Sequence, residues 1–162
     1  MKSTENIPGK IVAIEALIRD VKRWKLLSKK IVFTNGVFDL LHKGHIASLT
    51  QAASYGDVLI VGINADDSVK RLKGPTRPIN DEQTRAIILS NLLMVDAVTI
   101  FNEDTPLNLI KAIMPDVLVK GGDYTIEQIA GAKEVIENGG QVILADIVEG
   151  ISTTNTITQM KI

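Results

Sequence analysis

Apolar residues run along this chain in two alternating rhythms. Apolar-rich stretches occur at Ile31 to Phe33, Val58 to Ile63, Ala97 to Phe101, Asp116 to Val119 and Gln141 to Ile147, and that from Val58 to Ile63 is unbroken. They lack the polar alternation of a half-exposed strand, and read as strands of a parallel sheet covered on both faces. Between them the apolar positions fall at helical spacing. Ile11, Ile14, Leu17, Ile18, Val21 and Trp24 predict a helix over 11–27, and Ile46, Leu49, Ala52 and Ala53 one over 45–55, stopped by Gly56. A short helix over 67–72 and a longer one over 81–94 flank a loop, 73–80, that carries Gly74, Pro75 and Pro78. Thr105-Pro106 reads as an N-cap followed by proline at the first helical position, opening a helix to about Ile113. Residues 124–138 are predicted helical and closed by Gly139-Gly140, and Ser152 caps a last helix through Met160.

Strand and helix thus alternate five times, which predicts an α/β fold with a doubly wound, five-stranded parallel sheet. The 162 residues suit one domain, read as an N-terminal helical extension over 1–29 and a catalytic core over 30–162. The first helix could cover a sheet edge or form a homodimer contact, with Trp24 exposed. Ligands of such sheets bind beyond the carboxyl ends of the strands, where the strand order reverses. The segments after strands ending near 35, 63, 119 and 147 are therefore the places to look for chemistry.

Composition narrows the classes. At 45% hydrophobic and 23% charged, the chain is ordinary globular protein rather than disordered. A net charge of −1 and 4% aromatic content give no positive field and no stacking platform for nucleic acid. No stretch approaches the ~20 apolar residues of a membrane span, and the N-terminus has no signal core, so a cytoplasmic location is expected. The absence of cysteine removes disulfides and thiolate metal sites.

Both histidines lie in one stretch, Gly36-Val37-Phe38-Asp39-Leu40-Leu41-His42-Lys43-Gly44-His45. A glycine-ended strand, two imidazoles around Gly44, and then a helix can face an anion with ring N–H groups and free first-turn amides. A zinc site built on this pair would need further ligands, and there is no cysteine and no third histidine, so no metal ligand is assigned. Lys73 and Arg77 are either a solvated basic loop or a grip on anionic substrates. Arg85 is either a surface helix residue pairing nearby acids or a support for the site. Lys120-Gly121-Gly122-Asp123 is a simple turn or a close approach of backbone to a ligand, with Asp123 able to meet hydroxyls or magnesium. Ser152 caps a helix or adds its hydroxyl to a binding turn.

Thr34-Asn35-Gly36-Val37-Phe38-Asp39 with His42-Lys43-Gly44-His45 resembles the His-x-Gly-His signature of the cytidylyltransferase-like nucleotidyltransferases, which share a Rossmann-like fold. The likeness extends through Asn64-Ala65-Asp66, Arg71 to Pro78, Lys120 to Tyr124 and Gly150 to Asn155, covering roughly residues 30–160. The Leu72 to Pro78 and Val119 to Tyr124 blocks most resemble the adenylyltransferase domain of the bifunctional heptose-phosphate kinase/adenylyltransferases, here read as standing without the sugar-kinase domain. That resemblance implies transfer of AMP from ATP, with Mg2+, to a heptose 1-phosphate. A separate heptose-phosphate kinase would be a functional partner. It implies His42, His45 and Lys73 as catalytic residues. For the nucleotide it implies Asn35, Gly36, Val37, Phe38, Gly44, Lys120, Gly121, Asp123, Gly150, Ile151, Ser152, Thr153 and Thr154. For the sugar phosphate it implies Lys73, Arg77 and Arg85. Relatives that act on glycerol phosphate carry Arg-Thr where this chain has Ile147-Val148. Lys120 is expected to supply the missing charge from the neighbouring strand. The alternatives are a cytidylyltransferase for another phosphorylated alcohol, such as glycerol phosphate, and a catalytically silent nucleotide-binding partner of a sugar kinase.

Overall fold

A computed structural model of the chain describes residues 8–121 and 124–146. Ile31–Gly36 (β1), Val58–Asn64 (β2), Ala97–Phe101 (β3), Val117–Gly121 (β4) and Gln141–Ala145 (β5) form one all-parallel sheet in the order β3-β2-β1-β4-β5. The doubly wound five-stranded architecture read from the pattern is the one observed. All seven residues of β2 are buried, as its unbroken apolar run requires of a central strand. Side chains alternate in β1: Ile31 and Phe33 enter the core on one face, Val32 on the other. The order reverses between β1 and β4, which pair over Val32 to Thr34, so a ligand crevice opens beyond Gly36.

Helices cover both faces. Ile14–Leu26 (α1), Leu107–Ile113 (α5) and Ala132–Glu137 (α6) pack on one side, and Lys43–Ala53 (α2) and Glu82–Ser90 (α4) on the other. Asp66–Lys73 (α3) follows β2 at the carboxyl edge. α1 belongs to the core rather than to an appendage. Leu17 and Val21 are buried, Trp24 is half-buried against the same cluster, and Val12 N–H donates to the Val98 carbonyl at 2.9 Å. Residue 29 therefore marks no physical boundary, and Trp24 is not the exposed residue expected of it.

Element ends differ from the sequence reading at several points, α4 for instance ending at Ser90 and not Met94, and four of the differences have a clear local reason. α2 starts at Lys43, because extended His42 acts as its N-cap residue. α3 runs through Lys73 and stops at Gly74, whose φ of +95° suits glycine, so Lys73 is a helix residue and not a loop residue. α5 is preceded by Pro106 at the N-cap position, with no side-chain cap from Thr105. The helix expected over 124–138 is split into a 3-10 turn, Ile126–Gln128, and α6. Gly131 divides them with φ +86°, and a Cβ there would sit 2.8 Å from the Ile110 side chain. The tail of the last strand at Ile147 and the helix over 152–160 lie outside the described residues. Among the described residues, no helix is long and apolar enough to cross a membrane.

Candidate active site

The carboxyl ends of β1 and β4 and the first turn of α2 surround two adjoining clefts, of about 460 Å³ and 350 Å³. Asn35 to Phe38, His45, Lys73 and Lys120 line both. The smaller cleft adds His42, Gly44 and Gly121, and the larger adds Asn64, Arg77 and Gln128. Residues far apart in sequence, from β1, α2, α3 and β4, thus converge on one junction.

The first intrahelical bond of α2 runs from Ile46 N–H to the His42 carbonyl at 3.2 Å. The amides of the turn before it have no helical partner and are available to an anion. The His42 and His45 rings stack there, with centroids 3.8 Å apart and planes at 21°, and Phe38 lies across His45 at 5.3 Å. Nδ1 of each ring is buried without a hydrogen-bond partner, which leaves Nε2 as the nitrogen that can serve the cleft. Burial, helped by the neighbouring His42, lowers the His45 pKa to about 4, and burial lowers that of His42. Both rings are neutral at pH 7. A neutral ring holding its proton on Nε2 donates to a phosphate oxygen and leaves Nδ1 merely an unused acceptor.

Lys120 Nζ donates to Asn35 Oδ1 at 3.0 Å and lies 5.6 Å from the Tyr124 ring centroid. Burial lowers its pKa to about 8, so it still carries charge near neutrality, at the junction of the clefts.

Asp39, fully enclosed, draws the 77–80 loop onto the site. Its carboxylate accepts from Arg77 Nε at 2.7 Å and from the Ile79 and Asn80 amides at 2.9 Å, while its carbonyl accepts from Asn80 Nδ2. Burial would raise the Asp39 pKa, but the Asn80 and Ile79 amides and the Arg77 guanidinium outweigh it and hold the carboxyl below its ordinary value. Arg77 therefore reaches the larger cleft with its Nε committed to Asp39.

Arg85 is where the structure departs most from the sequence reading. It is 0% exposed and lines neither cleft. Its Nη1 donates to the Val37 carbonyl at 2.8 Å, Nη2 to Asp66 Oδ1 at 2.7 Å and Nε to the Asn80 carbonyl at 3.0 Å. It lies behind the cleft floor, bonded to the carbonyl just before Phe38 with its unusual φ of +49°, and does not face the clefts where substrate binding was expected of it. The structure thus brings His42, His45, Asn35, Gly36, Val37, Phe38, Gly44, Lys73, Arg77, Lys120 and Gly121 to the clefts. Asp123, Gly150, Ile151, Ser152, Thr153 and Thr154 lie outside the described residues. Sequence reasoning passed over Asn64, Tyr124 and Gln128 as cleft residues; Asn64 gave a signal, as a polar residue closing an apolar strand at the ligand edge.

A parallel sheet with paired imidazoles, free helix amides and two lysines at its switch point defines a nucleotide-phosphate-binding α/β domain. Residues 33–159 match the sequence model described as cytidylyltransferase-like, and the chain belongs to that family. It is 55% identical over 152 residues to the bifunctional protein HldE of Paramagnetospirillum magneticum, covering 94% of this chain and 31% of the relative. It is 52% identical over 160 residues to HldE of Caulobacter vibrioides, covering 98% and 33%. The chain thus spans about a third of the length of these curated relatives. Among solved structures it resembles the lipopolysaccharide core biosynthesis protein of Thermoplasma volcanium, with TM-score 0.62, 28% identity, 75% of this chain and 99% of that one. Its fold is also that of pantoate-beta-alanine ligase from Francisella tularensis, with TM-score 0.62, 18% identity, 91% of this chain and 72% of that one.

Proposed function

We propose that the chain is a nucleotidyltransferase that joins ATP to D-glycero-β-D-manno-heptose 1-phosphate, releasing pyrophosphate and forming ADP-heptose. The observation that carries the reading is the convergence of His42, His45, Lys73 and Lys120 on one junction between two clefts. Identity of 55% to a bifunctional HldE over nearly the whole chain supports the heptose branch.

In this reading the smaller cleft holds the α-phosphate against the α2 amides and the Nε2–H groups of His42 and His45. The acceptor lies in the larger cleft with its phosphate at Lys73 and Arg77. An oxygen of the sugar phosphate, already anionic, attacks the α-phosphorus in line. The bond from α-phosphorus to the bridging oxygen breaks, and pyrophosphate leaves with the electron pair. No nucleophilic side chain and no proton removal are required, so positioning and neutralisation of oxygens do the work. Lys120 and Lys73 supply the positive charge, while the neutral imidazoles supply aimed donors. Among the described residues no group of three or more His, Asp or Glu side chains could cage a metal. The carboxylates on the cleft lining, Asp39, Asp104 and Asp146, are engaged by Arg77, Arg71 and Gln51, which suits Mg2+ arriving on the nucleotide, where it would neutralise phosphate charge. Residues 150–154 and Asp123 would complete the nucleotide side. The reaction belongs in the cytoplasm, downstream of a kinase that makes the sugar 1-phosphate.

The test is a matrix of nucleoside triphosphates against phosphorylated acceptors, scored for pyrophosphate. The expected result is release that requires ATP and the heptose 1-phosphate together. Preference for CTP with glycerol phosphate would overturn the reading, and so would nucleotide binding without turnover on any acceptor.

A further inference from the structure

Asn64 ends β2 at the carboxyl edge of the sheet and belongs to the larger cleft but not the smaller. Its carboxamide is locked in one orientation. Nδ2 donates to Ser68 Oγ at 3.0 Å, and Ser68 Oγ donates to the Glu103 carbonyl at 3.0 Å. A serine hydroxyl has one proton, and a carbonyl oxygen only accepts, so that proton is committed to Glu103. Ser68 must then accept from Asn64, which demands nitrogen and not oxygen on that side of the amide. Ser68 is fully buried and Asn64 is 4% exposed, so water does not compete for the relay. The opposite edge of the carboxamide is Oδ1. No described residue donates to it, and it is not among the sealed, unpartnered buried atoms. It is a fixed acceptor without a described donor, on a residue that lines the larger cleft.

We propose that Asn64 is a specificity residue for the acceptor, its Oδ1 receiving a hydrogen bond from a sugar hydroxyl. This rests on reading the site as a transferase with a phosphorylated sugar in the larger cleft. A fixed oxygen acceptor repels phosphate or carboxylate and selects a neutral donor. The anionic end of the acceptor is served instead by Lys73 and Arg77 in the same cleft. Around Asn64 the cleft offers Thr105 and Gln128 beside apolar Leu72, Pro106 and Ile129. Polar edges alternating with apolar faces fit a hydroxylated ring, whose C–H faces are apolar and whose rim donates and accepts. A buried polar group left without its partner costs more than the bond gains, so the relay would reject an acceptor lacking that hydroxyl.

Pyrophosphate-release kinetics with ATP, the heptose 1-phosphate and its singly deoxygenated derivatives test this in the wild type, Asn64→Ala, Asn64→Ser and Ser68→Ala. Asn64→Ala should lower kcat/KM for the acceptor roughly tenfold while leaving the KM for ATP within about twofold. One deoxy derivative should lose roughly tenfold with the wild type and nothing further with Asn64→Ala. Ser68→Ala frees the amide to turn and should show a smaller loss on that same derivative. The proposal is overturned if the ATP KM rises in step with the acceptor KM. It is equally overturned if every deoxy derivative loses the same factor in wild type and variants. Asn64→Ser answers the question should Asn64→Ala not fold. If the wild type turns over a different phosphorylated acceptor, the heptose reading fails, and the same cycle on that acceptor's hydroxyls decides the role of Asn64.

Discussion

The Asp39 carboxylate meets the Arg77 guanidinium at 2.7 Å with only 1% and 12% of the two side chains open to solvent. This contact ties the loop after β1 to the loop after α3, so the basic loop is a fixed wall of the cleft. Asp39→Asn keeps the shape but leaves the guanidinium uncompensated. It should lose about 3 kcal/mol of stability in urea unfolding, as removal of one member of a buried pair does. In the folded variant the acceptor KM should rise more than the ATP KM.

His45→Ala should lower kcat by about 10²–10³, the loss for one preorganised donor at a charge-developing centre, with the fold unchanged by circular dichroism. A folded variant with normal turnover would remove the imidazoles from the reacting centre.

The histidines also set a pH dependence of stability. His45 takes its proton near pH 6.5 when unfolded and near 4 when folded, so the unfolded chain binds more protons between those values. Stability should rise with pH from about 4 to 6.5 and stay level from there to about pH 8, where Lys120 begins to titrate, as read from denaturation midpoints. Asp39, lowered in the fold, adds a further loss on the acid side as its native carboxylate protonates. His45→Phe should flatten the upper part of this slope.

How much of this is legible without coordinates depends on the kind of interaction. β1 and β2 are written in apolar runs, and the paired imidazoles in a ten-residue stretch, because local pattern encodes both. Arg85 is not legible. Its partners are two main-chain carbonyls and Asp66, and no charge pattern along the chain reveals a carbonyl waiting in the interior. Gly131 could have divided the predicted 124–138 helix, but helical spacing on either side masked it. The cleft of about 460 Å³ has side chains such as Tyr124 and Gln128 whose presence there comes from tertiary placement alone.

Lys120 gives a test on the alkaline side. Its ammonium, lowered to about pKa 8 by burial, loses its charge as pH rises through that value. The kcat/KM for ATP, which reports the free enzyme, should fall above pH 8. Lys120→Arg should carry that limb above about pH 10, since a guanidinium stays charged. Lys120→Ala should raise the ATP KM below about pH 8, where the wild-type side chain is charged, and unchanged kinetics there would show that another group carries the charge.

Arg85→Met should destabilise the protein by about 3 kcal/mol and lower kcat, because Val37 and Asn80 lose a shared anchor and Asp66 loses its partner. Added guanidine that restores activity without restoring the unfolding midpoint would separate bracing of the floor from general stability.

The bond between Val12 and Val98, with Ile11 bridged alongside, has a consequence of its own. It shields the outer rim of β3, which would otherwise present open backbone donors and acceptors to a second chain. Trimming the polypeptide to residue 13 would bare that rim, and the shortened protein would be prone to self-association before its chemistry changed.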